Sequence, residues 1–384
     1  MFFAPLKPQV NPVVRLGETI YMKKPIDKHR MVSILLALAL CLAPTLAFAQ
    51  IDVTKAPYNL LPKSTKDQSL AIQAALDQAG KNGGGRVVLP AGTIYAKGLS
   101  LPSKVTLSGQ GIAATVLKLP KNANTFLMAS QTFVNDKPWA NVYGGVRDLT
   151  FDGNKQENNI GSLLIVKTWR LLVRDCAFKN SPLHGVMWSD FSRNNVMNKN
   201  HFAEVRVINC SFDSNDGAGI YGKGPKIADG MIYENNFNNN GSKGFYQIDL
   251  ERSAGFHVVG NQMYSGKFGD LRALGAGALL VRGNNFDGSS NTPVDGRVRQ
   301  VVIKAGGWGS CVISANLFHN HTKEQRPWTM LDITTHAKDA ISVSGNVFRS
   351  EQIEATPYTV IGKAKDSVVF HGNAIQKKDS KSNQ

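Results

Sequence analysis

The run Phe245-Tyr246-Gln247-Ile248-Asp249-Leu250-Glu251 carries two carboxylates, two residues apart, interleaved with apolar side chains. In a β-strand alternate residues share a face, so Ile248 and Leu250 are expected inward and Asp249 and Glu251 outward, facing solvent together. Their Cα atoms would lie ~6.5–7 Å apart, close to the ~6.5–9.5 Å carboxyl separation of an inverting glycosidase, with one group as acid and the other as base. Alternatively the pair would bind Ca²⁺ and bridge to uronate carboxylates, with Arg272 or Lys304 removing the proton alpha to the substrate's carboxyl group; that is lyase chemistry. Two plainer readings remain open: charges placed on an outer strand face for solubility, and non-catalytic sugar binding. The same parity puts Tyr221 with Lys223, Asp270 with Arg272, Lys304, and Asp332 with Thr334 on one outer face. The candidate catalytic set is therefore Asp249, Glu251, Asp270, Arg272, Lys304 and Asp332, and the candidate substrate-binding set is Tyr221, Lys223, Lys167 and Trp188. Trp188, Trp308 and Trp328 would either stack on sugar rings or pack in the core. His319-Asn320-His321 has metal-ligand spacing but no third ligand in view, so no metal residues are assigned and Ca²⁺ stays the one possible cofactor.

Such a band needs strands stacked in parallel, and a repeat supplies them. From about residue 140 a motif recurs: an alternating apolar run, then Asn or Cys, any residue, and a large apolar residue. Its instances are Cys176-Ala177-Phe178, Cys210-Ser211-Phe212, Asn235-Asn236-Phe237, Asn261-Gln262-Met263, Asn284-Asn285-Phe286, Asn316-Leu317-Phe318, Asn346-Val347-Phe348 and Asn373-Ala374-Ile375. The large residues are 34, 25, 26, 23, 32, 30 and 27 positions apart. A motif that persists while its spacing wanders fits a solenoid with a fixed core position and loops of variable length. Each repeat holds β-type runs without helical periodicity, which predicts a parallel β-helix whose Asn side chains stack in an amide ladder. Cys176 and Cys210 share the ladder slot in adjacent coils, either as small buried residues or as an inter-coil disulfide. Upstream, Lys66–Gly80 has the apolar spacing of an amphipathic helix, expected to cap the open end of the coil and hide its unpaired edge.

The chain has 384 residues, 42% hydrophobic and 19% charged, with 36 glycines, which suits short strands and turns and excludes a disordered or coiled-coil protein. Met31–Ala43 is an apolar run preceded by Lys23, Lys24, Lys28, His29 and Arg30 and followed by Ala47-Phe48-Ala49, the pattern of a signal peptide cleaved after Ala49. It is too short for a permanent membrane span, so export to the periplasm or medium is expected. Beyond residue 49 there are 38 basic and 26 acidic residues, a net +12, which favours an acidic partner. Export, and the lack of a Lys/Arg stretch with interleaved aromatics, argue against nucleic acid. The expected organisation is upstream sequence and signal peptide over 1–49, a single β-helix domain over 50–376 with its cap in 50–100, and a polar tail over 377–384.

Three segments carry a family resemblance: Asp67-Gln68-Ser69-Leu70-Ala71-Ile72-Gln73-Ala74-Ala75-Leu76, Gly83-Gly84-Gly85-Arg86-Val87-Val88-Leu89-Pro90-Ala91-Gly92-Thr93-Ile94-Tyr95, and Leu107-Ser108-Gly109-Gln110-Gly111. With the repeats, they make the chain resemble the pectate-lyase-like right-handed parallel β-helix superfamily over roughly residues 52–376. That superfamily includes pectate lyases, polygalacturonase-type glycoside hydrolases and phage tailspike enzymes. The resemblance implies an all-β solenoid, export and a polysaccharide substrate, which the charge balance suggests is acidic. It does not carry over catalytic residues, because Leu183-His184-Gly185 and Val302-Ile303-Lys304 match the polygalacturonase motifs poorly and the pectate-lyase Trp-x-Asp-His signature is missing. The expectation is a polysaccharide lyase or glycoside hydrolase, with a non-catalytic glycan-binding envelope or matrix protein as the alternative.

Overall fold

The computed structural model describes residues 50–137, 143–195, 197, 204–288, 292, 293, 295–307, 309–322, 327–336, 338–351 and 355–377. The expected signal peptide, its cleavage point and Trp308 lie outside the described residues, as does the tail beyond 377. Among the described residues the strands form one sheet of 21 and one of 10, and every pairing between named strands is parallel. A typical coil contributes two short strands to the larger sheet, such as Met231–Tyr233 and Asn236–Asn238, and one to the smaller, Ile248–Leu250. The chain is thus a parallel β-helix.

The smaller sheet carries the predicted band. Its strands are β1 (Leu99–Leu101), β2 (Met128–Ser130), β3 (Leu164–Val166), β4 (Val186–Ser189), β5 (Ile220–Lys223), β6 (Ile248–Leu250), β7 (Leu271–Ala276), β8 (Val298–Ala305), β9 (Trp328–Thr335) and β10 (Ala355–Gly362), stacked in chain order.

The repeat motif fills the interior as expected. Phe151, Phe178, Phe212 and Phe237 stack with ring centroids 4.9, 5.2 and 4.7 Å apart, and Phe286, Phe318 and Phe348 continue the column at 5.0 and 4.7 Å. Beside it, the Nδ2 of each ladder asparagine donates to the Oδ1 of the next, from Asn235 through Asn261, Asn284, Asn316 and Asn346 to Asn373, at 2.9–3.0 Å. Asn235 Oδ1 closes the row by accepting the Cys210 N–H at 2.9 Å. Of the two readings of Cys176 and Cys210, the structure has the small buried residue: both thiols are free, bonded to the carbonyls of Arg174 and Ile208.

The N-terminal helix α1 spans Ser69–Lys81 and buries Ile72, Ala75, Leu76 and Ala79 against the first coils. It starts three residues later than its apolar spacing predicts, because Asp67 bridges Tyr95 as a strand and its carboxylate accepts the Ser69 N–H at 2.9 Å. Among the described residues no helix is long and apolar enough to cross a membrane.

Candidate functional site

Strand register brings one outward row together: Met187, Tyr221, Asp249, Arg272, Val302, Asp332 and Thr359 occupy equivalent positions on β4 to β10. A second row two residues on holds Ser189 with Lys223, and Lys304 with Thr334. Tyr221, Lys223, Asp249, Arg272, Lys304 and Asp332 therefore share the face that parity assigns to them, and Glu251 lies just past β6 beside Lys223.

Within this face the charges are organised as pairs. Arg272 donates from Nε and Nη2 to the two oxygens of Asp249, both at 2.8 Å, and its guanidinium lies 5.5 Å from the Tyr246 ring. Asp249 is thereby sealed: it is 0% exposed and also accepts the Tyr246 N–H at 3.2 Å. Burial pushes its carboxyl pKa up, against the pull of Arg272. The expectation that Asp249 and Glu251 face solvent as an acid and base pair is corrected here, since only Glu251 is exposed. Their joint use for Ca²⁺ is corrected for the same reason, because a guanidinium occupies both Asp249 oxygens. Among the described residues no three His, Cys, Asp or Glu side chains gather in a way that would hold a metal. Asp332 is paired similarly, with Arg299 Nε at 3.1 Å and the Thr359 hydroxyl at 2.6 Å.

Glu251 makes the contact with most chemical content. It accepts the Tyr221 hydroxyl on Oε1 and the Gly224 N–H on Oε2 at 2.7 Å. Burial, and then the Glu251 charge, raise the Tyr221 pKa, so the phenol holds its proton and donates it to the carboxylate. The Tyr221 ring rests on the buried His184 ring, 4.3 Å away, and Phe245 closes the edge at 5.3 Å. His184 accepts the Ala218 N–H on Nδ1 at 3.0 Å, and burial lowers its pKa to about 3, so it is a neutral platform. Gly224, at φ +104°, must be glycine, because a Cβ there would lie 2.7 Å from Asp190 Oδ2. Asp190 itself is buried with its pKa raised to about 6 by desolvation, and its Oδ1 has no hydrogen-bond partner among the described residues.

Three further expectations are corrected. Asp270 does not face outward with Arg272. It is fully buried at the corner before β7, where it accepts from Gln247 and Gln300 at 3.1 Å each, and burial raises its pKa to about 7. Lys167 is also fully buried, donating to the Lys137 carbonyl at 2.6 Å, so it is no surface contact for substrate. Trp188 points into the core, 4% exposed, with its ring 5.2 Å from Phe256, and Trp328 is buried as well. Sequence reasoning missed Tyr246, Arg299 and Asp190, and treated His184 as a poor motif match without metal-ligand spacing. A signal existed for His184, which stands 37 positions before Tyr221, about one coil.

No protein-family model matches the chain. Alginate lyase 7 of Azotobacter vinelandii is 30% identical over 191 residues, 47% of this chain, and the chain spans about a fifth (21%) of that relative's length. Among solved structures, the A-module of mannuronan C-5 epimerase AlgE6 from the same organism has a TM-score of 0.52 at 18% identity, covering 85% of this chain and 94% of the module. A tailspike protein mutant of E. coli bacteriophage HK620, solved with a pentasaccharide, has a TM-score of 0.58 at 15% identity, covering 86% of this chain and 64% of the tailspike. At these identities the solved structures speak to architecture. With the parallel sheets and the stacked coils, they place the chain among the right-handed parallel β-helix proteins.

Proposed function

We propose that the chain is an exported enzyme that modifies an acidic polysaccharide by removing the proton alpha to a uronate carboxyl group. The observation that carries this reading is the Tyr221–Glu251 hydrogen bond set one coil from the Asp249–Arg272 ion pair, on one outer face. Abstraction of that proton needs an acceptor, a donor and a cation over the carboxyl group, where the negative charge develops. Glu251 is exposed and accepts the Tyr221 hydroxyl, which makes the pair a relay: the phenol oxygen takes the proton from the sugar carbon as it passes its own to Glu251, and the same path in reverse returns one. Arg272, whose side chain is 32% exposed, keeps Nη1 for the substrate carboxylate while Asp249 fixes its orientation. Exposed Lys304 adds positive charge along the second row.

A two-carboxylate hydrolase is less well supported, because Asp249 has no surface to offer. Elimination and C5 inversion both begin by breaking the same C–H bond, and the names of the relatives, an alginate lyase and mannuronan C5-epimerases, fit that shared step. Binding without turnover is the second reading, favoured by the degree to which Asp249 and Asp332 are already paired within the protein.

The test is to incubate the protein with acidic and neutral polysaccharides while following absorbance near ~235 nm, reducing ends and inversion at C5. Tyr221→Phe and Glu251→Gln are each expected to lower turnover on a polyuronate by about 10²–10⁴-fold with binding retained. Retained polyuronate binding without any of the three signals would establish the binder instead.

A further inference from the structure

A second cleft lies on the outer face of the larger sheet, whereas the Tyr221 row lies on the smaller one. It has a volume of about 450 Å³ and is lined by Arg86, Lys104, Arg147, Arg170 and Tyr143 over a floor at Gly145. The size is that of a ligand-binding pocket. Among the described residues no acidic side chain lines it. Its floor is bare for a backbone reason: a Cβ on Gly145 would lie 2.0 Å from the Leu172 carbonyl oxygen, so this coil can place no side chain there.

The walls hold more positive charge than the neighbouring acids neutralise. Arg147 pairs with Asp148 at 2.6 Å, and Arg86 reaches the same carboxylate only at 3.8 Å. Arg170 is held by Glu204 at 2.5 and 3.2 Å and by the Tyr143 hydroxyl at 2.7 Å, with its guanidinium 5.5 Å from the Tyr143 ring. Lys104 is exposed and its ammonium has no anionic partner among the described residues. Three arginines thus share two carboxylates, and Lys104 adds a fourth positive charge. Register strings the cleft across successive coils, from Arg86 beside Thr106 to Gly145 beside Leu172.

We propose that this cleft is a second binding site for an acidic glycan, holding a run of uronate units away from the Tyr221 face. The guanidinium groups of Arg86 and Arg147 suit carboxylates, the coil spacing of ~4.8 Å distributes the cations along an extended chain, and the exposed Tyr143 offers one ring face. A single-stranded nucleic acid would call for successive aromatic platforms, and Tyr143 is the one aromatic ring among the described lining residues. The ligand class rests on the acidic-polysaccharide reading above; the site does not depend on the chemistry proposed there.

The experiment is calorimetric titration of the full chain with a hexameric oligouronate, a neutral hexaglucan and a single-stranded oligonucleotide. In an Arg272→Ala background, one oligouronate site is expected to remain. Adding Lys104→Ala with Arg147→Ala should weaken that site by about tenfold or more, and raising salt should weaken it further. Thr106→Trp, which fills the cleft without removing charge, should also abolish it. Unchanged melting temperatures separate these effects from misfolding. Oligouronate binding that survives both the alanine pair and Thr106→Trp, absence of any oligouronate binding, or tighter binding of the oligonucleotide would each overturn the proposal. Failure of the catalytic reading would show instead as missing turnover, whatever this cleft binds.

Discussion

Asp270 shows how a single buried carboxyl couples stability to pH. Its ordinary value of 3.8 rises to about 7 inside the fold, chiefly through desolvation. Between those values the folded chain keeps a proton that the unfolded chain has released, so stability from this group is complete below about pH 4, is lost as pH rises, and levels off above about pH 7. Asp270→Asn should remove that slope, a difference on the order of 2–4 kcal/mol between the ends of the window, read from denaturant unfolding of both proteins at each end. His184 behaves oppositely in charge and equally simply. With its pKa lowered to about 3, it should show ring C–H resonances that stay flat from about pH 5 to about pH 8. A titration in that interval would mean that the platform under Tyr221 opens to water. The charged row was legible in the sequence because parity along a strand is reliable. The fate of its members was not. Asp249 is sealed by a guanidinium one coil away and by the Tyr246 backbone, and strand parity says nothing of what lies on top of an outward residue.

At the scale of elements, the asparagine ladder ties successive coils together through buried amide hydrogen bonds. Asn284 donates to Val258 O and Asn316 Oδ1 at 2.9 Å and accepts from the N–H and Nδ2 of Asn261 at 3.0 Å. Asn284→Ala leaves those buried partners unpaired and should cost about 2–5 kcal/mol in urea unfolding. A loss within experimental error would show that water enters the vacated slot. The ladder and the phenylalanine column could be read directly from the repeat because each coil restates the same positions. The corner before each site strand could not. Gln247 and Asp270 sit one residue before β6 and β7, where the chain turns between sheets, and Gln300 precedes Val301 within β8; at each point two successive side chains are buried. Alternation counted through such a corner gives the wrong face, which is why Asp270 was assigned to the groove.

Across the whole molecule the interior is continuous from Val53 to Ala355, with no break between the cap and the last coils in the buried apolar set. Cys176, Cys210 and Cys311 lie within it as free thiols, and burial raises the Cys311 pKa to about 11. A thiol reagent should therefore find none of the three in the native state and all three after denaturation. Early reaction of Cys311 alone would reveal that the C-terminal coils unravel separately. The overall architecture was legible because it is written many times over. A site occurs once, and it depends on contacts between coils whose loops differ in length.

The amide row has one more property. Every Nδ2 from Asn235 to Asn346 points toward the next coil, and each receiving Oδ1 also accepts the preceding asparagine's backbone N–H. The orientation of each side chain is thus imposed twice, and turning one amide around would set nitrogen against nitrogen on one side and oxygen against oxygen on the other. The row consequently has an electrical sense, a file of aligned dipoles running through the protein along the stacking direction, in which each member polarises the next. A helix acquires such a polarity from its peptide groups; here a β protein acquires it from side chains.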